Sequence, residues 1–266
     1  MLHLRVISAL VGVPVMLGAI YLGGPWYAFF LLLVVNLGLW EFDALLKAKG
    51  SRFPPFLGYV GVTAFIILLF FELYAMVFPL LMVIFFALVM TQLAVFVEAN
   101  FWESAMFFWG IIYLGGFVGY MLLIRLLPDG MLYTYILFVG VWVNDTFAYF
   151  IGTKWGSHKL APEISPKKSV EGALGGAAGT LCSAIAVAVL APAVIGLPVW
   201  MAAILGLGIA VFAQLGDLLE SSLKRQFQVQ ESGRLIPGHG GILDRLDSLL
   251  LAAPFVYYFN MLANRF

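Results

Sequence analysis

Residues 131–152 read MLYTYILFVGVWVNDTFAYFIG, a run apolar on every side with one carboxylate, Asp145, about two-thirds of the way along. A membrane-spanning helix needs about 20 such residues, whereas a surface helix of a soluble protein would carry a polar face. Eight further segments have the same character: 6–22, 26–40, 56–71, 76–96, 105–127, 173–194, 199–216 and 249–263. Strands of a transmembrane barrel would alternate apolar and polar residues, and these runs do not. The sequence therefore predicts an all-α polytopic membrane protein, a bundle of about nine transmembrane helices. The first run carries Pro14, lacks a small-residue cleavage site and passes through Gly23-Gly24-Pro25 into the second. It is expected to remain as a span rather than act as a cleaved signal peptide.

Composition agrees. The 266 residues are 63% hydrophobic and 11% charged, with a mean hydropathy of +1.03. Soluble domains run at roughly 45–50% apolar and 25% charged, so a water-soluble globule and a disordered chain are both excluded. Cys182 is the only cysteine, which rules out an intrachain disulfide framework. Fourteen bases balance fourteen acids, so no global charge favours nucleic acid.

Lys and Arg set the orientation, because they concentrate in cytoplasmic loops. With an inward N-terminus and nine spans, the inner segments 1–5, 41–55, 97–104, 153–172 and 217–248 hold twelve of the fourteen bases. Only Arg125 and Arg265 fall outside, and the inner 97–104 segment carries Glu98 and Glu103 but no base. The expectation is a multi-pass protein of the plasma (inner) membrane, with its C-terminus outward and a polar site facing the cytoplasm. No internal repeat or long linker is visible. The chain reads as one integral membrane domain, 1–266, with scaffold spans in 1–130 and chemistry-bearing spans in 131–266.

The polar groups crowd into 144–172 and 217–247. A carboxylate at membrane depth costs about 2.5–3.5 kcal/mol at a helix centre, so Asp145 needs a cavity, a cation or a base. The loop GTKWGSHKLAPEISPKKSVEG carries Lys167, Lys168 and Ser169 and is stiffened by Pro162 and Pro166. Gly172, Gly175, Gly176 and Gly179 have the small-residue spacing of close helix packing. If the next helix runs to about Phe227, then Asp217, Ser221, Lys224 and Gln228 share a face, flanked by Glu220 and Arg225. Pro237-Gly238-His239-Gly240-Gly241 is a turn whose backbone N–H groups can converge on an anion. Asp244 and Asp247 follow one turn apart, with Arg245 between them. Mg²⁺ favours one or two carboxylates together with phosphate oxygens and water. This stretch therefore suits a magnesium–polyphosphate. No His/Cys spacing suggests zinc.

At these residues the chain resembles the phosphatidate cytidylyltransferase (CDP-diacylglycerol synthase) family. Ser221-x-Leu223-Lys224-Arg225, Gly233, Ile236-Pro237-x-His239-Gly240-Gly241 and Asp244-Arg245-x-Asp247 match its C-terminal signature. Asp145-x-x-Ala148-Tyr149 and Ser165-Pro166-x-Lys168-Ser169-x-Glu171-Gly172 are similar to it as well. Gln230-Glu231 stands where the family usually has Lys-Asp. The resemblance implies that CTP and phosphatidate give CDP-diacylglycerol and pyrophosphate, with Mg²⁺ and a potassium ion. It implies Asp217 and Asp244 as metal ligands, with Asp145 and Asp247 as further metal or network candidates. It gives Lys168, Lys224, Arg225 and Arg245 to phosphates. Lys167, Ser169, Ser221, His239, Gly240 and Gly241 complete the expected nucleotide site, with Lys168, Asp217 and Asp244 carrying the chemistry. The partners expected are CTP, phosphatidate and membrane lipid, not nucleic acid, and the glycine-rich span suggests a homodimer. A CTP-dependent lipid-alcohol kinase would handle the same nucleotide, but the full PGHGG-x-x-DR-x-D ending favours the cytidylyltransferase. An ion or solute transporter would spread polar groups over both faces, and here the outer face is nearly bare.

Overall fold

A computed structural model describes residues 2–95, 101–238 and 240–263. Eleven α-helices follow in order: α1 Leu2–Leu22, α2 Gly24–Ala48, α3 Phe56–Phe70, α4 Val77–Ala94, α5 Phe101–Gly110, α6 Phe117–Leu126, α7 Gly130–Trp155, α8 Val170–Leu190, α9 Pro192–Ile195, α10 Val199–Phe227 and α11 Leu243–Ala263. A 3₁₀ turn, Tyr74–Met76, leads into α4, and a π-helical stretch, Ile111–Gly116, joins α5 to α6 as one continuous rod. Each apolar run of the sequence has a helix. Among the described residues seven helices are long and apolar enough to cross a membrane, and two more, Val6–Leu22 and Phe56–Phe70, are apolar but shorter. The protein is thus an all-α polytopic membrane protein, and a count of nine full spans is not established. The fifteen residues of α3 rise only about 22 Å at 1.5 Å each, less than the roughly 30 Å of a hydrocarbon core. Exposed Leu10, Phe78, Phe86, Val189 and Leu190 are solvated cheaply by lipid and expensively by water.

The chain divides into two compact units, Met1–Leu127 with Phe227–Arg245, and Pro128–Gln226 with Leu246–Phe266. The segment 227–245 belongs with the first unit although it lies late in the chain.

In the first unit Tyr27, Leu31, Leu39, Phe42, Phe53, Phe107 and Leu114 are fully buried. Gly110 lets α5 approach the Phe42 ring, where an added Cβ would come within 2.6 Å. The polar ties of this unit sort by end. Ser8 Oγ donates to the Pro237 carbonyl at 3.2 Å. Glu103 accepts from Ser51 Oγ at 2.7 Å and Arg52 N at 2.9 Å. Arg125 Nε donates to the Ile20 carbonyl at 2.8 Å, at the other end of α1. The start of α1, the 51–53 segment after α2 and the start of α5 therefore behave as alternating helices require. Glu103, the odd acid of the base-free 97–104 segment, is a carboxylate clasp for the 51–53 loop.

In the second unit α7 and α8 pack closely along one face. Added Cβ atoms at Gly175, Gly176 and Gly179 would meet Ile151 at 2.4 Å, Asn144 at 2.6 Å and Phe147 at 2.3 Å. The small-residue stripe of α8 is used within the chain, against α7. Between these helices residues 156–169 form a hairpin, β1 Lys159–Ala161 and β2 Ser165–Ser169, paired antiparallel with Lys159 opposite Ser169. Pro162 sits in its turn, where a missing N–H costs nothing.

Candidate active site

The hairpin is tied down at both ends. Glu171, in the first turn of α8, accepts from Ser157 N at 3.1 Å and His158 N at 3.2 Å, and its Oε1 meets His158 Nδ1 at 2.5 Å. Ser169 is the N-cap of α8, its Oγ accepting from Gly172 N at 3.1 Å, the role a Ser at that position fills best. At the far end Arg225 Nε donates to the Ile164 carbonyl at 3.0 Å, fastening the turn to α10.

Beneath the hairpin lies a cavity of about 560 Å³. Its walls include Lys159, Lys167 and Lys168 from the strands, Tyr149 from α7, and Gln214 and Asp217 from α10. Lys168 Nζ stands 2.7 Å from Asp217 Oδ2, with both side chains partly buried. Ser221 Oγ is 3.4 Å from Asp217 Oδ1, one helical turn further on. Gln214 Nε2 donates to Asn144 Oδ1 and to the Ala173 carbonyl, each at 2.9 Å, and Asn144 Nδ2 donates to Asp145 Oδ1 at 3.1 Å. A partly buried amide bridge thus joins α7, α8 and α10 and reaches Asp145. Asp247, on α11, feels the charges of Asp217, Asp145 and Lys224, and its Oδ1 accepts from Ser248 N at 2.7 Å. Among the described residues no three His, Cys, Asp or Glu side chains already stand as a metal cage.

Gly216 makes this proximity possible. A Cβ there would come 2.3 Å from the Asp247 carbonyl oxygen, so α10 and the first turn of α11 touch backbone to backbone. Gly216→Ala must part them at a cost of about 1–3 kcal/mol. We expect a lowered Tm and at least a tenfold loss of turnover in the fraction that folds, measured by thermal unfolding in detergent beside product formation.

The glycine-rich turn belongs to the first unit. Asp244 Oδ2 accepts from Ser232 N, Ser232 Oγ and Gly241 N, each at 2.9 Å. Glu41, 1% exposed on α2, accepts from Ile242 N at 2.9 Å and Leu243 N at 3.0 Å, with Ser232 Oγ at 3.3 Å. The N–H groups of Gly241, Ile242 and Leu243 do converge on anions, as the turn's composition suggested, but these anions are the protein's own carboxylates. Gly240 has φ +82°, a left-handed conformation suited to glycine.

The expected residues therefore fall into two groups. Asp145, Lys167, Lys168, Ser169, Asp217, Ser221, Lys224, Arg225 and Asp247 lie in the second unit; Gly240, Gly241, Asp244 and Arg245 lie in the first. His239 lies outside the described residues. Lys224 pairs with Glu220 at 2.5 Å rather than with Asp217 on its own helix face. Gln228 leaves that face, because the chain turns there with φ +61° just beyond the end of α10. Three anchoring residues escaped the sequence reading: Glu41, Gln214 and, as a clasp for the hairpin, Glu171. A glutamate inside the apolar run LGLWEF was the one available signal for Glu41.

Comparison with known proteins fits this geometry. A family model described as the cytidylyltransferase family matches residues 3–263. A phosphatidate cytidylyltransferase of Synechocystis sp. is 34% identical over 97% of this chain and 96% of its own. The phosphatidate cytidylyltransferase of Bacillus subtilis is 44% identical over 55% of this chain and 54% of its own. That of Staphylococcus saprophyticus is 42% identical over 58% of each. One family model runs through both units and one relative aligns nearly end to end, so the chain belongs to the cytidylyltransferase family.

Proposed function

We propose that this protein joins CTP to phosphatidate, forming CDP-diacylglycerol and releasing pyrophosphate. The observation that carries this reading is the cavity beneath the hairpin, lined by three lysines and one acid, Asp217 of α10. Two polyanions must meet there, and lysines on one wall offset their repulsion. A phosphate monoester is largely ionised at neutral pH, its second pKa being about 6. The lipid phosphate is thus a ready nucleophile for the α-phosphorus of CTP, and the protein's task is alignment and charge stabilisation.

The residues suit a hard divalent ion. Asp217, with Asp247 and Asp145 as neighbouring charges, provides the oxygen donors Mg²⁺ favours, and Asp217 already holds the cationic Lys168. The resemblance gives Asp244 the same ligand role, and three donors fix the direction of its Oδ2. When bound, Mg²⁺ would supply Lewis-acid polarisation of phosphate oxygens and neutralise charge on the leaving group; potassium is proposed only as an accompanying cation. Lys168 and Lys167 would hold phosphates from the hairpin, Lys224 and Arg225 from the end of α10, and Arg245 from α11. Arg225 does so while pinning the hairpin turn. Purified protein in mixed micelles with CTP and phosphatidate should yield a cytidine-bearing lipid and equimolar pyrophosphate, both read by mass spectrometry. CDP with no cytidine lipid would refute the reading.

CTP is cytoplasmic, so the reading places the cavity on that face of the plasma membrane with the N-terminus inside. The same orientation puts twelve of fourteen bases inside. A periplasmically active reporter should be silent when fused within 153–172 and active at Phe266. The opposite pattern would put the cavity in the wrong compartment. A homodimer would have to use another face than the glycine stripe of α8, because those glycines pack within the chain.

A further inference from the structure

The sequence assigns Glu41 no role, and it lies 191 residues from its nearest polar partner in the chain, Ser232. Its carboxylate is buried in a membrane helix, where a charge persists only if donors replace the water it has lost. The donors are two consecutive N–H groups at the start of α11, Ile242 and Leu243, with the Ser232 hydroxyl oxygen 3.3 Å away. A helix N-terminus has orphan N–H groups and the positive end of the dipole. Here the residue satisfying them comes from α2 rather than from the preceding loop.

Asp244 works from the other side, taking Ser232 N and Gly241 N. Ser232 Oγ has one proton, and the nearer oxygen is that of Asp244, 2.9 Å against 3.3 Å for Glu41. The two acids thus close the 232–243 turn at its two ends. The closure is tight: Cβ atoms at Gly233 and Gly241 would fall 2.4 Å and 2.3 Å from Glu41 oxygens. Both glycines are therefore needed to make room for Glu41, a different reason from the backbone freedom that Gly240 requires.

We infer that Glu41 is a positioning residue for the transfer reaction. Its carboxylate sets the shape of the glycine-rich turn, and through that turn the direction of Asp244 and the start of α11. This rests on the proposed cytidylyl transfer for its kinetic consequence, but the clasp itself can be measured without any activity.

Glu41→Gln is nearly isosteric, yet it replaces one acceptor oxygen with an NH₂ that would face a backbone N–H. Amide hydrogen exchange of the native protein should show Ile242 and Leu243 protected. In Glu41→Gln both should exchange at least tenfold faster, while amides in α7 and α8 are unchanged. Turnover of the folded variant should fall at least thirtyfold, and Glu41→Asp, which keeps the charge, should recover part of it. Gly233→Ala, which leaves Glu41 intact but crowds its Oε1, should reproduce the loss. Should Glu41→Gln fail to fold, Glu41→Asp and Gly233→Ala carry both measurements. Unchanged exchange at Ile242 and Leu243 would overturn the clasp. Faster exchange with kcat and both KM values within twofold of native would overturn the positioning role and leave Glu41 a packing anchor. If the native protein makes no CDP-lipid, the functional reading fails instead, and the exchange data still decide the clasp.

Discussion

Asp217→Asn is expected to lower turnover by about a thousandfold or more, the scale of losing a group that stabilises charge in the transition state. The protein should still insert and purify. Two terms separate here. In stability, Asp217 is one half of a partly solvated pair with Lys168, and such a pair contributes about 1 kcal/mol or less. In catalysis, the same carboxylate is the acid lining the cationic cavity, and asparagine keeps its shape without its charge. A large kinetic loss with a Tm within a few degrees of native is therefore the expected signature. A purely structural role would give the reverse, with reduced yield but near-native specific activity in what folds. Activity of the purified variant, normalised to the folded fraction, distinguishes the two.

Lys168→Met should be nearly as damaging, by about a hundredfold or more, and for two reasons. It removes a phosphate-facing ammonium from the cavity, and it strands Asp217 beside the charges of Asp145 and Asp247. Arginine should not rescue it fully, because a planar fork replaces a compact ammonium in a space shaped by Pro166 and Gly172. Lys159→Ala and Lys167→Ala provide the contrast. Both side chains are exposed at the cavity wall, so each should raise the KM for CTP by about tenfold or less and weaken its salt dependence. Equal losses at all three lysines would mean that the Lys168–Asp217 contact has no special place. Initial rates over a CTP series at two ionic strengths measure this directly.

What could be read from the chain alone follows from the range of the interactions involved. Spans such as 131–152 are local, twenty apolar residues in a row, and every one of them became a helix. The end of α10 near Phe227 was legible as well, because the apolar period ends where Lys224 and Arg225 begin. Gln228 was misplaced on that face since nothing local announces a left-handed residue other than glycine at position 228. The hairpin at 159–169 was legible as a stiff loop but not as paired strands. Its stability comes from Glu171 and Arg225, contacts made from outside it. The partners of Glu41 were illegible for the same reason in stronger form, since Ile242 and Leu243 lie some two hundred residues on. Motif spacing located the chemistry-bearing segments. It could not show that the N–H groups of the glycine-rich turn answer to acids of the protein itself.

The α-phosphate of CTP, with its cytidine, is expected to pass to the lipid while the outer two phosphates leave. CTP labelled separately at the α- and γ-phosphorus, mixed with phosphatidate and the purified protein, tests it in one extraction. The α-label should enter the lipid phase and the γ-label should stay in water as pyrophosphate. A γ-label in the lipid phase would mean that the protein is a kinase using CTP as phosphoryl donor, and cytidylyl transfer would be the wrong reaction.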